Sequence, residues 1–254
     1  MMRAVIVASV MIVVAAVAMS GRGPSLGQVL TLGTSAGPSP GAPPFSGGVA
    51  GVEVAPTPPT EPPATATLPP DPAGLHRWSE LPVHYCIDTS QTGVLPNERF
   101  GALTDEAFAA WGVPAVDDGA CAHPESRGDR VNEIGWGTPP GAPPPGSRVT
   151  EAGVTLTTYS RCTANCGDRD PVSIIEADII ITKEVPPEFR SERCVYSTLL
   201  HETGHFLGLE HLPAPSVMQA QTSSCMTELT PADLAALIAR YGNVASPKPD
   251  IFGP

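Results

Sequence analysis

The sequence predicts an α+β domain, a twisted mixed β-sheet packed by three helices, over residues 75–242 of a 254-residue chain. Three observations lead there. Residues 81–88, 131–137, 153–160 and 172–182 are alternating or β-branched runs, several bounded by Gly, Pro or Asp, as strands are. Residues 97–112, 191–209 and 230–242 carry helical patterns or helix-end signals. The flanking segments differ in composition, and one domain with a sizeable core suits the length that remains.

The chain opens with a different material. Arg3 precedes an apolar run from Ala4 to Met19, and Ala16-Val17-Ala18 supplies small residues for cleavage. Residues 1–20 therefore predict a secretory signal peptide and a secreted, extracellular product. The alternative is an uncleaved anchor that leaves the domain outside the membrane. A span needs roughly 20 apolar residues, and this run is shorter. Residues 21–74 hold 13 prolines and four charged residues. Proline lacks an amide hydrogen and fixes φ, and too few large apolar side chains offset the entropy of ordering. This segment predicts an extended linker or stalk.

Within the domain, "LPVHYCID" (81–88) reads as the entry strand. Phe100, Leu103, Ala107, Phe108 and Trp111 give the next helix one apolar face, and Gly112 and Pro114 stop it. "VNEIGWG" (131–137) and "GVTLTTYS" (153–160) follow as strands, with a Pro/Gly loop over 138–147 between them. "VSIIEADIIIT" (172–182) is the richest β-branched run. A helix extends from Ser191 to about Leu207. Thr230 caps the last helix, with Pro231 at its first position, Asp233 in its first turn and Gly242 at its end. Residues 243–254 read as a frayed tail.

The balance of 26 acidic and 14 basic residues gives a net charge of −12, which argues against nucleic-acid binding. All six cysteines lie beyond residue 80, and an even count in an exported chain favours disulfides. Six cysteines allow 15 pairings. Pairing in chain order, Cys86–Cys121, Cys162–Cys166 and Cys194–Cys225, is the expectation. The rival, a thiolate metal site, lacks any CxxC pair. His76, His84 and His123 lack metal spacing. Trp78, Trp111, Trp136 and Tyr241 read as core anchors.

Three of the six histidines stand within "HETGHFLGLEH" (201–211). His201 and His205 are four apart, so a helix places both imidazoles on one face. Two such nitrogens can share one Zn²⁺, and Glu202 can reach a water on it. Gly208 tolerates positive φ, so the chain can turn there and bring His211 back as third ligand. Three protein ligands leave the open position a catalytic zinc requires. A lone HExxH often arises by chance. Gly208 and His211 at these offsets make chance or purely structural histidines a poor account.

At His201, Glu202, His205, Gly208 and His211 the sequence resembles the metzincin peptidases, and among them the matrixins and matrixin-like bacterial peptidases. The resemblance extends to "RW…LPVHYCID", "EADIII" and "LTPADLAALIARYG", roughly residues 75–242. It implies a methionine beneath the zinc site, fitted by Met218, with Met226 as competitor. It also implies a zinc endopeptidase in which Glu202 is the general base and zinc the oxyanion partner. An extended peptide substrate would lie along a sheet edge, offered by 153–160 or by 174–182. There are departures. Leu212 and Gln219 replace residue types common in relatives, no tyrosine lies near Met218, and no cysteine before Cys86 supplies a latency switch. Acidic stretches at 116–119 and 165–170 would admit a Ca²⁺, although such loops are commonly just solvated. A monomer is the default state. The rival readings are a secreted binding module that does not cleave, and a zinc hydrolase of a cell-wall crosslink. An intact Glu202 speaks against the first.

Overall fold

The structure is a computed structural model that describes residues 5–9, 66–67, 76–121, 128–140, 152–161, 172–184, 187–220 and 224–242. All of these belong to one unit, made of Met1–Met19 and Ala64–Pro254. The expected Cys162–Cys166 bridge, the acidic stretch 165–170, His123 and the tail lie outside the described residues.

The strands are β1 (Val5–Ser9), β2 (Ala66–Thr67), β3 (Arg77–Trp78), β4 (Glu80–Leu81), β5 (Val83–Asp88), β6 (Ala115–Cys121), β7 (Glu133–Gly137), β8 (Gly153–Arg161) and β9 (Val172–Thr182). The helices are α1 (Asn97–Trp111), α2 (Glu192–Phe206) and α3 (Pro231–Tyr241). The main sheet runs β1-β8-β9-β7-β5-β6. It is mixed, as expected. The neighbours from β6 to β9 are parallel, and β8 is antiparallel to β9. Short β3 adds a parallel pair to the start of β9. The domain is therefore a mixed α/β arrangement with a largely parallel centre.

Three local expectations change. The entry strand is broken at Pro82 into β4 and β5, because proline has no amide hydrogen for the ladder. Residues 116–119, read as an acidic loop, lie inside β6, which pairs in parallel with β5. Asp117 accepts from the Gly119 amide, and Asp118 faces His84 at 2.9 Å. Ala66–Thr67, inside the segment read as linker, pairs with β4.

Alternation sorts the sheet's two faces. Ile87, Ile134, Ile179 and Ile181 point into the main core with Phe100, Leu103, Trp111, Leu199 and Leu200, all buried. Val154, Leu156 and Ile180 form a separate small cluster. That follows from the two-residue period of strands. Asp178 lies one residue before Ile179 and is fully buried. Its Oδ1 accepts from the Glu133 amide at 3.1 Å, while its Oδ2 has no hydrogen-bond partner. Burial above all, then the nearby Glu176, Glu133 and Asp129 charges, pushes its carboxyl up to about 8 against that hydrogen bond.

Trp78, Trp111 and Tyr241 are buried anchors, as expected, and each also has a polar task on α2. The Trp78 indole donates to the Phe206 carbonyl at 2.8 Å, the Trp111 indole to the Leu200 carbonyl at 2.8 Å, and the Tyr241 hydroxyl to the Leu207 carbonyl at 3.0 Å. Two of these acceptors lie at the helix end, where carbonyls lack helical partners. Disulfides Cys86–Cys121 and Cys194–Cys225 join β5 to β6 and α2 to the loop before α3, with Cα–Cα distances of 5.7 and 4.8 Å. These two bridges fit an oxidising compartment. Among the described residues no helix is long and apolar enough to cross a membrane.

Candidate metal centre

The site grows from the second half of α2. Ser191 caps the helix and accepts from the Cys194 amide at 3.3 Å. His201 and His205 then fall one turn apart on the same face. The helix stops at Phe206, and Gly208 takes φ 86°, as the sequence predicts. A side chain at Gly208 would also collide with the His76 carbonyl, so the turn needs glycine twice over. Beyond it His211 returns to the other two.

The three imidazoles meet through their Nε2 atoms. His205 Nε2 lies 3.1 Å from His201 Nε2 and 3.3 Å from His211 Nε2. Protonation can be read from the far side of two rings. His201 Nδ1 faces the Val217 carbonyl at 2.6 Å, and His205 Nδ1 faces the Leu209 carbonyl at 2.8 Å. A carbonyl only accepts, so each Nδ1 carries the proton and each Nε2 presents a lone pair. Lone pairs at such separations repel unless a cation lies among them. Nitrogens bound tetrahedrally at ~2.0–2.1 Å would stand roughly 3.3–3.4 Å apart, close to what is seen. The donor set thus fits zinc, and His201, His205 and His211 would hold it.

The electrostatics agree. Burial pushes His201 down to about 4 and His205 well below its ordinary value, and burial also lowers His211. Near neutral pH all three rings are uncharged and able to ligate. One other described grouping, Cys86, Cys121 and Glu133, has its sulfurs in a disulfide and offers no thiolate. Asp117 and Asp118 belong to no described ligand cluster.

Met218 is fully buried and lies against Gly204, on α2 between the two helical histidines. A Cβ at Gly204 would strike the Met218 sulfur and the Trp111 ring. Met226, the competitor, is only partly buried and lines a pocket beside Glu202 instead. Asp233 ties the Met218 turn to α3. It accepts from the Ser216 hydroxyl, from the Val217 amide at 3.0 Å and from the Met218 amide at 3.3 Å, while closing a capping box with Thr230. The sequence shows Asp233 only as a first-turn acid. Its link to the turn needs two segments that fold together.

Glu202 is buried and turned toward β8. Thr155 donates its hydroxyl toward Glu202, with Oγ1 2.8 Å from Oε2 and 3.0 Å from the main-chain carbonyl. Gly153, two residues earlier, leaves room for the same side chain, since a Cβ there would lie 3.0 Å from Glu202 Cγ. Sequence reading missed Thr155, Gly153 and Gly204. Their signal lies in strand register and helix packing, not in spacing. The pocket beside Glu202 is lined by Ser197, Thr198, Val217, Ala220 and Met226 as well as Gly153. Of the two candidate edges, β9 is interior, between β7 and β8. β8 borders the site, and β1 pairs with it only from Thr157 to Arg161. No described strand covers the outer side of Gly153–Leu156. Comparison of the chain with protein-family models and with curated proteins finds no match.

Proposed function

We propose that this chain is an exported zinc endopeptidase of the metzincin, matrixin-like kind, acting on extended peptides as a monomer. The observation that carries the reading is the convergence of three imidazole Nε2 atoms, His205 Nε2 lying 3.1 Å from that of His201 and 3.3 Å from that of His211, with the Glu202 carboxyl on the residue after His201 in the same helix. A zinc ion there would supply Lewis acidity and a water acidified toward neutral pH. Glu202 would serve as general base, accepting a proton from an attacking water and passing it to the leaving amine. The outer side of Gly153–Leu156 offers backbone groups to an extended substrate, which joins as an added strand. The pocket lined by Val217, Ala220 and Met226 receives an apolar side chain. Removal of residues 1–20 as a leader takes β1 with it and bares the rest of the β8 edge.

The test uses the full chain as exported, its zinc content measured by elemental analysis. A mixed peptide library is digested beside Glu202→Ala and beside wild type with a chelator. One zinc per chain, and cleavage lost in both controls, is the expected result. A folded, zinc-loaded wild type that cleaves no peptide leaves the binding module or a non-peptide crosslink. Cleavage that survives Glu202→Ala removes the base assignment.

A further inference from the structure

We propose that Thr155 is a positioning residue for Glu202, holding one carboxylate oxygen so that the side chain keeps a single orientation toward the reacting water. The inference rests on the peptidase reading above. Three observations support it. Thr155 and Glu202 are both buried, at 2% exposure each, so bulk water does not compete for their hydrogen bond. The Thr155 hydroxyl has one proton and two acceptors in reach, the carboxylate at 2.8 Å and a carbonyl at 3.0 Å. The carboxyl oxygen is the closer acceptor and takes it. Thr155 is itself fixed. It stands opposite Ile179 in the β8–β9 ladder, and a β-branched side chain has few χ1 choices.

Gly153 completes the device. With Oε2 on Thr155, the other oxygen lies over Gly153, where a Cβ would come within 3.1 Å of Oε1. One strand thus supplies a fixed donor and, two residues earlier on the same face, a gap. A glutamate has three side-chain torsions, and small misplacement of a reacting group costs about 10²-fold in rate. A hydroxyl that holds one of its oxygens acts on turnover more than on substrate binding.

The test compares wild type, Thr155→Val and Thr155→Ser on a peptide the wild type cleaves, with zinc content measured for each. Valine keeps the branched shape and loses the hydroxyl, and serine restores it. We expect Thr155→Val to lose about 10- to 100-fold in kcat with KM and zinc content unchanged, and Thr155→Ser to recover to within about threefold of wild type. Crystal structures of the metal-free proteins supply a readout independent of turnover. The Glu202 carboxylate is expected to leave its place in Thr155→Val and to keep it in Thr155→Ser, with His201 and His205 unmoved. If Thr155→Val does not fold, Thr155→Ala takes its place in both measurements. Wild-type kcat in the valine variant, an unmoved carboxylate, or a folded serine variant without recovery overturns the proposal. If wild type cleaves no peptide, the peptidase reading falls, while the carboxylate position still decides the role of Thr155.

Discussion

Helices α1 and α2 have the same length, 15 residues, and pack against each other on the same sheet, yet they differ in the polar side chains they bury. The inward face of α1 is Phe100, Leu103, Ala107, Phe108, Ala110 and Trp111, with Thr104 as its one buried polar side chain. Thr104 satisfies itself on the Phe100 carbonyl of its own helix. The second half of α2 buries Glu202, Thr203 and His205. Glu202 and His205 reach outside the helix for partners, to Thr155 and to the Leu209 carbonyl, as the less buried His201 does to the Val217 carbonyl. Both helices end beside a glycine at positive φ, Gly112 at 68° and Gly208 at 86°. After Gly112 the chain returns to the sheet as β6. After Gly208 it delivers a third imidazole. The difference teaches that α1 is held by apolar area, which is tolerant of detail, whereas α2 adds to its apolar face a dependence on particular donors and acceptors set by other segments.

Variants in the two helices should therefore fail differently. The largest effect belongs to Glu202→Gln, which is expected to lower kcat by about 10²–10⁴-fold with zinc content and melting temperature near wild type. Peptide cleavage and elemental analysis on one preparation check it. Next, His205→Ala removes the imidazole central to both short contacts. It is expected to lose stoichiometric zinc on dialysis, and activity with it, while its circular dichroism stays folded. Phe100→Ala in α1 reverses the pattern. Phe100 is fully buried and rests against Trp136 at 4.6 Å between ring centroids. A loss of about 3–5 kcal/mol in urea unfolding is expected, with kcat per folded molecule unchanged. A comparable loss of zinc from Phe100→Ala would erase the distinction between the helices.

The smallest effect tests the opposite case, a buried polar oxygen without a partner. The Asp178 carboxyl is raised from 3.8 to about 8 in the folded protein. Between those values the folded chain keeps a proton that the unfolded chain releases, so its contribution to stability falls as pH rises from about 4 to 8 and levels off above. Asp178→Asn keeps an oxygen for the Glu133 amide and removes the titration. Urea unfolding at pH 5 and pH 8 should show the variant gaining on wild type at pH 8, by about 1–3 kcal/mol relative to pH 5. An equal difference at both pH values would show that Asp178 does not titrate across this range.

What could be read without the structure follows from how local each feature is. The pairing of His201 with His205 is set by 3.6 residues per turn, and the return of His211 by a glycine three residues after the second histidine, so both lie within eleven consecutive residues. The cap at Thr230, the end of α1 at Gly112 and the anchoring roles of Trp111 and Trp136 are local in the same sense. β6 escaped because Asp117, Asp118 and Gly119 are poor strand formers, and only its pairing with β5 overrides that preference.

The sequence by itself determined which three histidines come together, the carboxylate beside the first of them and the glycine turn, because helix periodicity and backbone freedom act over a few residues. Only the tertiary structure decided that β8 rather than β9 is the edge beside the site, that Met218 rather than Met226 lies under the histidines, and that Thr155 and Asp233 hold Glu202 and the Met218 turn. The hydrogen bonds of Thr155 to Glu202 and of Asp233 to the Met218 turn join residues 15 to 47 positions apart. Strand order and helix packing bring such residues together, and neither is encoded in the spacing of any single segment.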